Sequence, residues 1–455
     1  MTNPFFSSSL ISPLPSSAAM RKTLQDRTRL QRMLDFELAL ARAQAAVGIV
    51  PALALDHIAS AARAERFDIA ALAQAGSIRG HIASALVEAL TAEVAKSDQA
   101  AARYVHWGAT DQDLIDTALV LDLRAAVDAL MLDLNRAIDA FAALAGRHRR
   151  TAAVGRAFLQ HALPLPFGLK LAGYAAALAR SRERLRRLRR EALVLQFGGT
   201  VGILAALNDK GLDVAERVAA LLDLSLPEAP WHTHRDRLAE VAAAFTILAG
   251  TCGKIGRDIS LLMQTEVGEA FEPAASDAGA SSAEKRGPTK VAAALAAANI
   301  APGLLSAILA AQAQEHERGL GNWQAEWTTF PALALIASAG LDAVAGIGQG
   351  LEVDNARMRA NVMATRGLVM AEAVSSALAA KIGRAEAQII VEQASRKAVA
   401  AKRDLQDVLL EDEQVKLRLR IGDLAVLFEP LGYQGAAQTF IDRAVGALQA
   451  RPAKR

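Results

Sequence analysis

Apolar residues recur along most of this 455-residue chain three and four positions apart, the spacing of helices, and no run keeps a convincing two-residue strand rhythm. Residues 20–47 read as one helix, with Leu30, Met33, Leu34, Phe36, Leu38, Leu40 and Ala41 on its apolar stripe, stopping at Gly48 ahead of Pro51. Five more helices are predicted over 111–145, 168–195, 235–266, 288–318 and 331–350. Gly146 closes the first of these and the Gly198-Gly199 pair ends the second, while Gly250, Gly253 and Gly256 are expected to admit close helix contact in the third. The fold class is therefore all-α. A middle block of long helices flanked by shorter ones predicts three regions: an N-terminal helical domain 1–110, a central long-helix bundle 111–350, and a C-terminal helical domain 351–455. Helices that long cannot bury every apolar face in one narrow bundle, so oligomerisation through the middle block is expected.

Composition supports this picture. Hydrophobic residues make up 52% of the chain but aromatics only 4%; the surplus is Ala, Leu, Val and Ile, which suits closely approaching helices. A net charge of +3 is too mild to argue for nucleic acid, and the basic run 180–190 reads as a solvated helix face. Cys252 is the sole cysteine, which leaves no intrachain disulfide and no cysteine-based metal cluster. The N-terminal stretch lacks the pattern of a signal peptide. The uncharged segment 291–314 is Ala-rich and carries Asn299, Pro302, Gln312 and Gln314, so it reads as a buried helix of a soluble bundle, with no membrane span and a cytoplasmic location.

Four segments gather polar residues. In HWGATDQD (106–113) a glycine turn ends in Thr110-Asp111 before a long helix. Free N–H groups and the positive dipole end suit a carboxylate there, although on spacing alone Thr110 or Asp111 simply capping the helix is the plainer reading. GRAFLQHALPLPFG (155–168) sets Gln160 and His161 among apolar residues, where a satisfied core histidine is the plainer reading. GASSAEKRGPTK (279–290) has the Gly, Ser and cationic residues of an anion-binding loop, or of an ordinary surface loop. QEHERGLGNWQAEW (314–327) packs His316, Glu317, Arg318, Trp323, Glu326 and Trp327 around a glycine break. His232 and His234 lack a third ligand at metal-site spacing, so a structural role is expected and no metal.

These segments, together with QFGGTVGILAAL, PWHTHRDR and the C-terminal LFEPLGYQGAAQTFIDRAV, occur in an order that resembles the fumarase/aspartase superfamily almost end to end. HERGLGNWQAEW is similar to its cycloisomerase branch. The resemblance implies a three-region all-helical subunit whose central region joins a twenty-helix core of a homotetramer. It also implies active sites shared between subunits, a small tricarboxylate substrate, and no cofactor. The implied reaction is closure of a lactone by addition of one carboxylate across a conjugated double bond. Carried onto this chain, it makes Ser282 and Lys285 the catalytic residues, and Thr110, Gln160, Arg286, Arg318 and Trp323 the substrate-binding ones. Three departures stand out: the signature loop is two residues short with Gly287 in place of asparagine, Asp111 stands where serine is usual, and Ala157-Phe158 replaces the Thr-His pair of the amine-eliminating members. A fumarate-releasing lyase of the adenylosuccinate or argininosuccinate type is the second expectation, and a catalytically silent helical homo-oligomer the third.

Overall fold

The computed structural model describes residues 14, 16–274 and 287–449. The main helices are α1 (Asp26–Ala46), α2 (Ile69–Arg79), α3 (Ile82–Ala95), α4 (Asp111–Arg147), α5 (Phe167–Glu191), α6 (Asp236–Leu262), α7 (Thr289–Ala310) and α8 (Asn322–Gly350). Shorter helices, among them α9 (Ala371–Ile382) and α10 (Arg384–Ala401), follow toward the C-terminus. The helix expected over 20–47 is interrupted: a short segment Ala18–Thr23 precedes a break at Leu24 and Gln25, and only then does α1 begin. The last predicted helix starts nine residues early, at Asn322 instead of 331, with Pro331 inside it.

The chain forms two compact units, each drawn from separated segments. The first comprises Met1–Leu134, Arg180–Gly253 and Ala293–Asp342; the second comprises Asn135–Ala179, Lys254–Ala292 and Ala343–Arg455. The first has a core of Leu34, Phe36, Leu40, Leu86, Leu90, Leu114, Phe197 and Val218. In it Gly253 permits close approach, since a Cβ there would lie 2.3 Å from that of Ala298, whereas Gly250 faces open space. In the second unit α9 and α10 bury Val374, Leu378, Ile390, Val391 and Ala394 together.

The absence of strands predicted from the sequence needs correcting. Ala152–Ala157 (β1) and Gln160–Pro166 (β2) pair antiparallel, from Ala152 opposite Pro166 to Ala157 opposite Gln160. Phe158 and Leu159 form a two-residue turn with φ of 51° and 65°, the left-handed geometry that matches strand twist but strains side-chain-bearing residues. Phe158 is 99% exposed and Leu159 77%. Gln160 and His161 are likewise exposed, not enclosed by apolar neighbours.

Among the described residues α6, α7 and α8 are long and apolar enough to cross a membrane, by length and composition alone. The apolar windows of α6 and α8 are mostly buried within the chain itself, but only 33% of the α7 window is. The segment read as a buried helix is therefore only partly covered by its own chain, with Ile300 and Leu309 exposed.

Candidate active site

The first unit brings three loops together: the turn 106–110 ahead of α4, the loop around 198–200, and the segment 316–321 ahead of α8. Backbone strain concentrates in them. His106, Leu204 and His316 have positive φ (59°, 51° and 44°), as do Gly108, Gly199 and Gly321. Non-glycine residues hold such conformations only where the surroundings enforce them, a condition typical of functional sites.

Two of these loops meet at Asp113, a fully buried carboxylate on the first turn of α4. Its Oδ2 accepts the Thr110 N–H at 3.1 Å and the Gly199 N–H at 2.8 Å. Its Oδ1 accepts the Gly198 N–H at 3.0 Å and the Gln196 amide at 3.2 Å, and lies 3.0 Å from His232 Nε2. Asp113 sits at the third helical position and reaches back to the residue before the helix, as in a capping box. Thr110 stands at the cap position, its carbonyl accepting the first helical bond from Leu114, and Asp113 completes the cap from inside the helix. Gly198 has to be glycine: a Cβ there would lie 2.7 Å from Pro230.

Behind Asp113 lies a second buried cluster. Arg235 donates to both oxygens of Asp116 at 2.7 and 3.0 Å, and through Nε to Glu326 at 3.0 and 3.2 Å. Burial opposes the guanidinium charge, but the two carboxylates outweigh it and raise its pKa above the ordinary arginine value. The guanidinium also lies 4.9 Å from the Trp231 ring centroid, a cation–π contact. Trp323 donates its indole N–H to Asp116 at 3.0 Å and is itself buried. Its one polar atom is thus used internally, and the ring supports the arginine cluster.

At the rim, Arg318 donates to Thr110 Oγ1 at 3.1 Å and to the Thr200 carbonyl at 2.8 Å. Thr110 and Arg318 were both read as binding residues, and the structure sets them side by side. Trp107 is half-exposed at the same turn, with its carbonyl accepting from Gln44 at 2.6 Å. His106 Nδ1 meets Glu37 Oε1 at 2.6 Å. Burial works against the imidazolium, but the Glu37 carboxylate prevails and raises the pKa above 6.5. The sign of the pH dependence follows: this pair's stabilisation is complete below the unfolded histidine's pKa near 6.5 and is lost as pH rises through the higher folded value. Glu37→Gln should therefore flatten the fall in melting temperature of the intact protein between neutral and mildly alkaline pH; identical slopes for both proteins would contradict this.

Gln160 lies in the second unit, at the exposed start of β2. Ser282, Lys285 and Arg286 lie outside the described residues. Directly after them α7 begins, and its first N–H groups are already occupied. Glu272 accepts from Lys290 N–H at 3.0 Å, Val291 N–H at 2.7 Å and Thr289 Oγ1 at 3.2 Å. That helix end holds the chain's own carboxylate. The sequence reading missed Asp113, Arg235 and His81. Asp113 carried a visible signal, an acidic residue three after a threonine at a helix start; the other two did not.

Asp113, Asp116 and Glu326 each close on a basic partner or backbone N–H groups, while among the described residues Arg318 touches only a hydroxyl and a carbonyl. The first unit thus offers a turn with one arginine left for an anion. Comparison with known proteins gives this arrangement its family. A model described as "Lyase" matches residues 15–303 and one described as "Adenylosuccinate lyase C-terminus" matches 367–444; the chain belongs to the lyase family of the fumarase/aspartase superfamily. Within it, the chain is 59% identical over 97% of its length, and 98% of the relative's, to 3-carboxy-cis,cis-muconate cycloisomerase of Bradyrhizobium diazoefficiens. It is 51% identical to the Pseudomonas aeruginosa protein of that name over 94% of each chain. The crystal structure of 3-carboxy-cis,cis-muconate lactonizing enzyme from Pseudomonas putida superposes with a TM-score of 0.93 at 48% identity, covering 97% of this chain and 99% of that one.

Proposed function

We infer that this chain closes 3-carboxy-cis,cis-muconate to 4-carboxymuconolactone. One carboxylate of the substrate adds across a conjugated double bond, which drives negative charge onto the carboxylate at the far end of the conjugation. An enediolate-like group results, and fixed cations aimed at it are the main catalytic requirement. A proton delivered to the adjacent carbon completes the reaction. The observation that carries the reading is Arg318 beside Thr110, a guanidinium without a carboxylate partner among the described residues, held at a rigid turn. Lys285 and Arg286 supply further positive charge in this reading, Ser282 moves the proton, and Gln160 orients the substrate. The purified protein should bleach the ultraviolet absorbance of the conjugated diene; an unchanged spectrum, or fumarate released from adenylosuccinate or argininosuccinate, would replace the assignment. Phe158 at the hairpin tip, in place of the superfamily's histidine, favours ring closure over amine elimination.

Lys285→Ala is expected to cut turnover severely while the assembly stays intact, measured by the same absorbance assay. Near-normal activity would remove Lys285 from the site. The active form in this reading is a cytoplasmic homotetramer with sites shared between subunits. Its support is the partly covered α7, with Ile300 and Leu309 exposed, and the exposed Phe158 and Leu159, which a second copy would cover. Sedimentation should show four copies per particle; a monomer at micromolar concentration would end this part of the reading.

A further inference from the structure

Asp111 opens α4 beside Thr110, at the place where a polyanion has to approach, and a carboxylate there repels one. The buried acids behind the turn are already answered: Glu37 by His106, Asp113 by His232 and three backbone N–H groups, Asp116 and Glu326 by Arg235. All of those carboxylates are buried. Asp111 alone in this set is open to solvent, with 36% of its side chain exposed, and its partner is His81, whose Nε2 lies 3.5 Å from Oδ2. His106 also feels the Asp111 charge, but its ring is committed to Glu37.

His81 is the residue before α3, and little else fixes it. It makes no side-chain cap to that helix, and its Nδ1 is buried without a hydrogen-bond partner among the described residues. At the same turn His106 and His232 are each held by a carboxylate at 3.0 Å or less. Among the described residues the His81 ring is thus tied polarly only to Asp111, through a 3.5 Å contact longer than a good hydrogen bond. A residue kept for capping would show a cap, and a residue kept for the core would have both nitrogens satisfied.

We propose that His81 is a positioning residue that holds the Asp111 carboxylate aside, its Nε2 3.5 Å from Oδ2, so that the turn accepts a tricarboxylate. The proposal rests on the reading of the turn as the substrate site. It makes the Asp111-for-serine departure a matched pair: the acid is tolerated because the histidine stands beside it. The cost of losing the histidine falls on binding and grows with the ligand's negative charge, because the repulsion scales with it.

The test uses the full-length protein and four variants: His81→Ala, His81→Gln, Asp111→Ser and His81→Ala/Asp111→Ser. Removing the histidine should raise KM for the tricarboxylate about ten- to a hundredfold, the size expected of one unscreened charge near a partly exposed site, with kcat changed less than about threefold. Asp111→Ser in the His81→Ala background should restore KM, because the carboxylate to be held aside is gone. A merely structural histidine would not be rescued in this way, so an unrestored KM overturns the proposal, as does an unchanged KM in both single His81 variants. Should wild type fail to turn over the muconate, the reading of the site fails separately. Calorimetric binding of tricarballylate against succinate then tests His81 alone: His81→Gln should lose affinity for the trianion more than for the dianion, and equal losses overturn it.

Discussion

Arg318→Ala should lower kcat/KM for the tricarboxylate by a factor on the order of 10²–10³, the usual effect of removing one charged or hydrogen-bonding group from a developing oxyanion. The melting temperature should scarcely move. Among the described residues Arg318 bonds only the Thr110 hydroxyl and the Thr200 carbonyl, at the rim of the first unit, so its loss leaves none of their charges buried and unpaired. Arg318→Lys should recover only part of the activity, because an ammonium cannot present the planar fork that meets a carboxylate with two parallel N–H bonds. Steady-state kinetics with thermal melts of the same samples separate the two quantities. Wild-type kcat/KM in the alanine variant would strip Arg318 of its role, whatever the melts show.

Arg235→Ala should have the largest effect on stability, about 3–5 kcal/mol, because it abandons two charges in the interior. The Arg235 side chain is 1% exposed, and those of Asp116 and Glu326 0% and 1%. With the guanidinium gone, two carboxylates remain close together with no cation, and both the Trp323 indole and the Gln112 amide are bonded to the same Asp116. Urea unfolding monitored through tryptophan fluorescence gives the number, since Trp231 and Trp323 lie against the cluster. A loss below about 1 kcal/mol, the range of an exposed ion pair, would show that water reaches the cluster.

The long helices were legible because their signal is local. Leu30, Met33, Leu34 and Phe36 mark a helical face within seven residues, and each is buried. Thr110 and Arg318 drew notice for another reason: each sits in a polar segment at a glycine break, and their pairing is what the proposed site builds on. The hairpin escaped notice because β1 and β2 combine small residues with Pro164 and Pro166, and because Phe158-Leu159 carries none of the Asn-Gly chemistry that announces a tight turn. Arg235 escaped because its partners are 119 and 91 positions away; no periodicity links them, and charged residues ordinarily read as surface. Trp323 has a part that the sequence does not announce: in a polar segment it is buried and bonded to Asp116.

The Asp113 carboxylate has a bearing on how such a site can diversify. One side chain fastens two stretches of main chain, at Thr110 and at Gly198-Gly199, that are far apart in sequence. Neither can be reshaped by drift without dislodging the other, so the cradle passes through mutation as a single inherited part. New preferences must come from what is mounted on it, such as the residue at 111 and its companion at 81. A change at one of those is tolerated only when the other answers it.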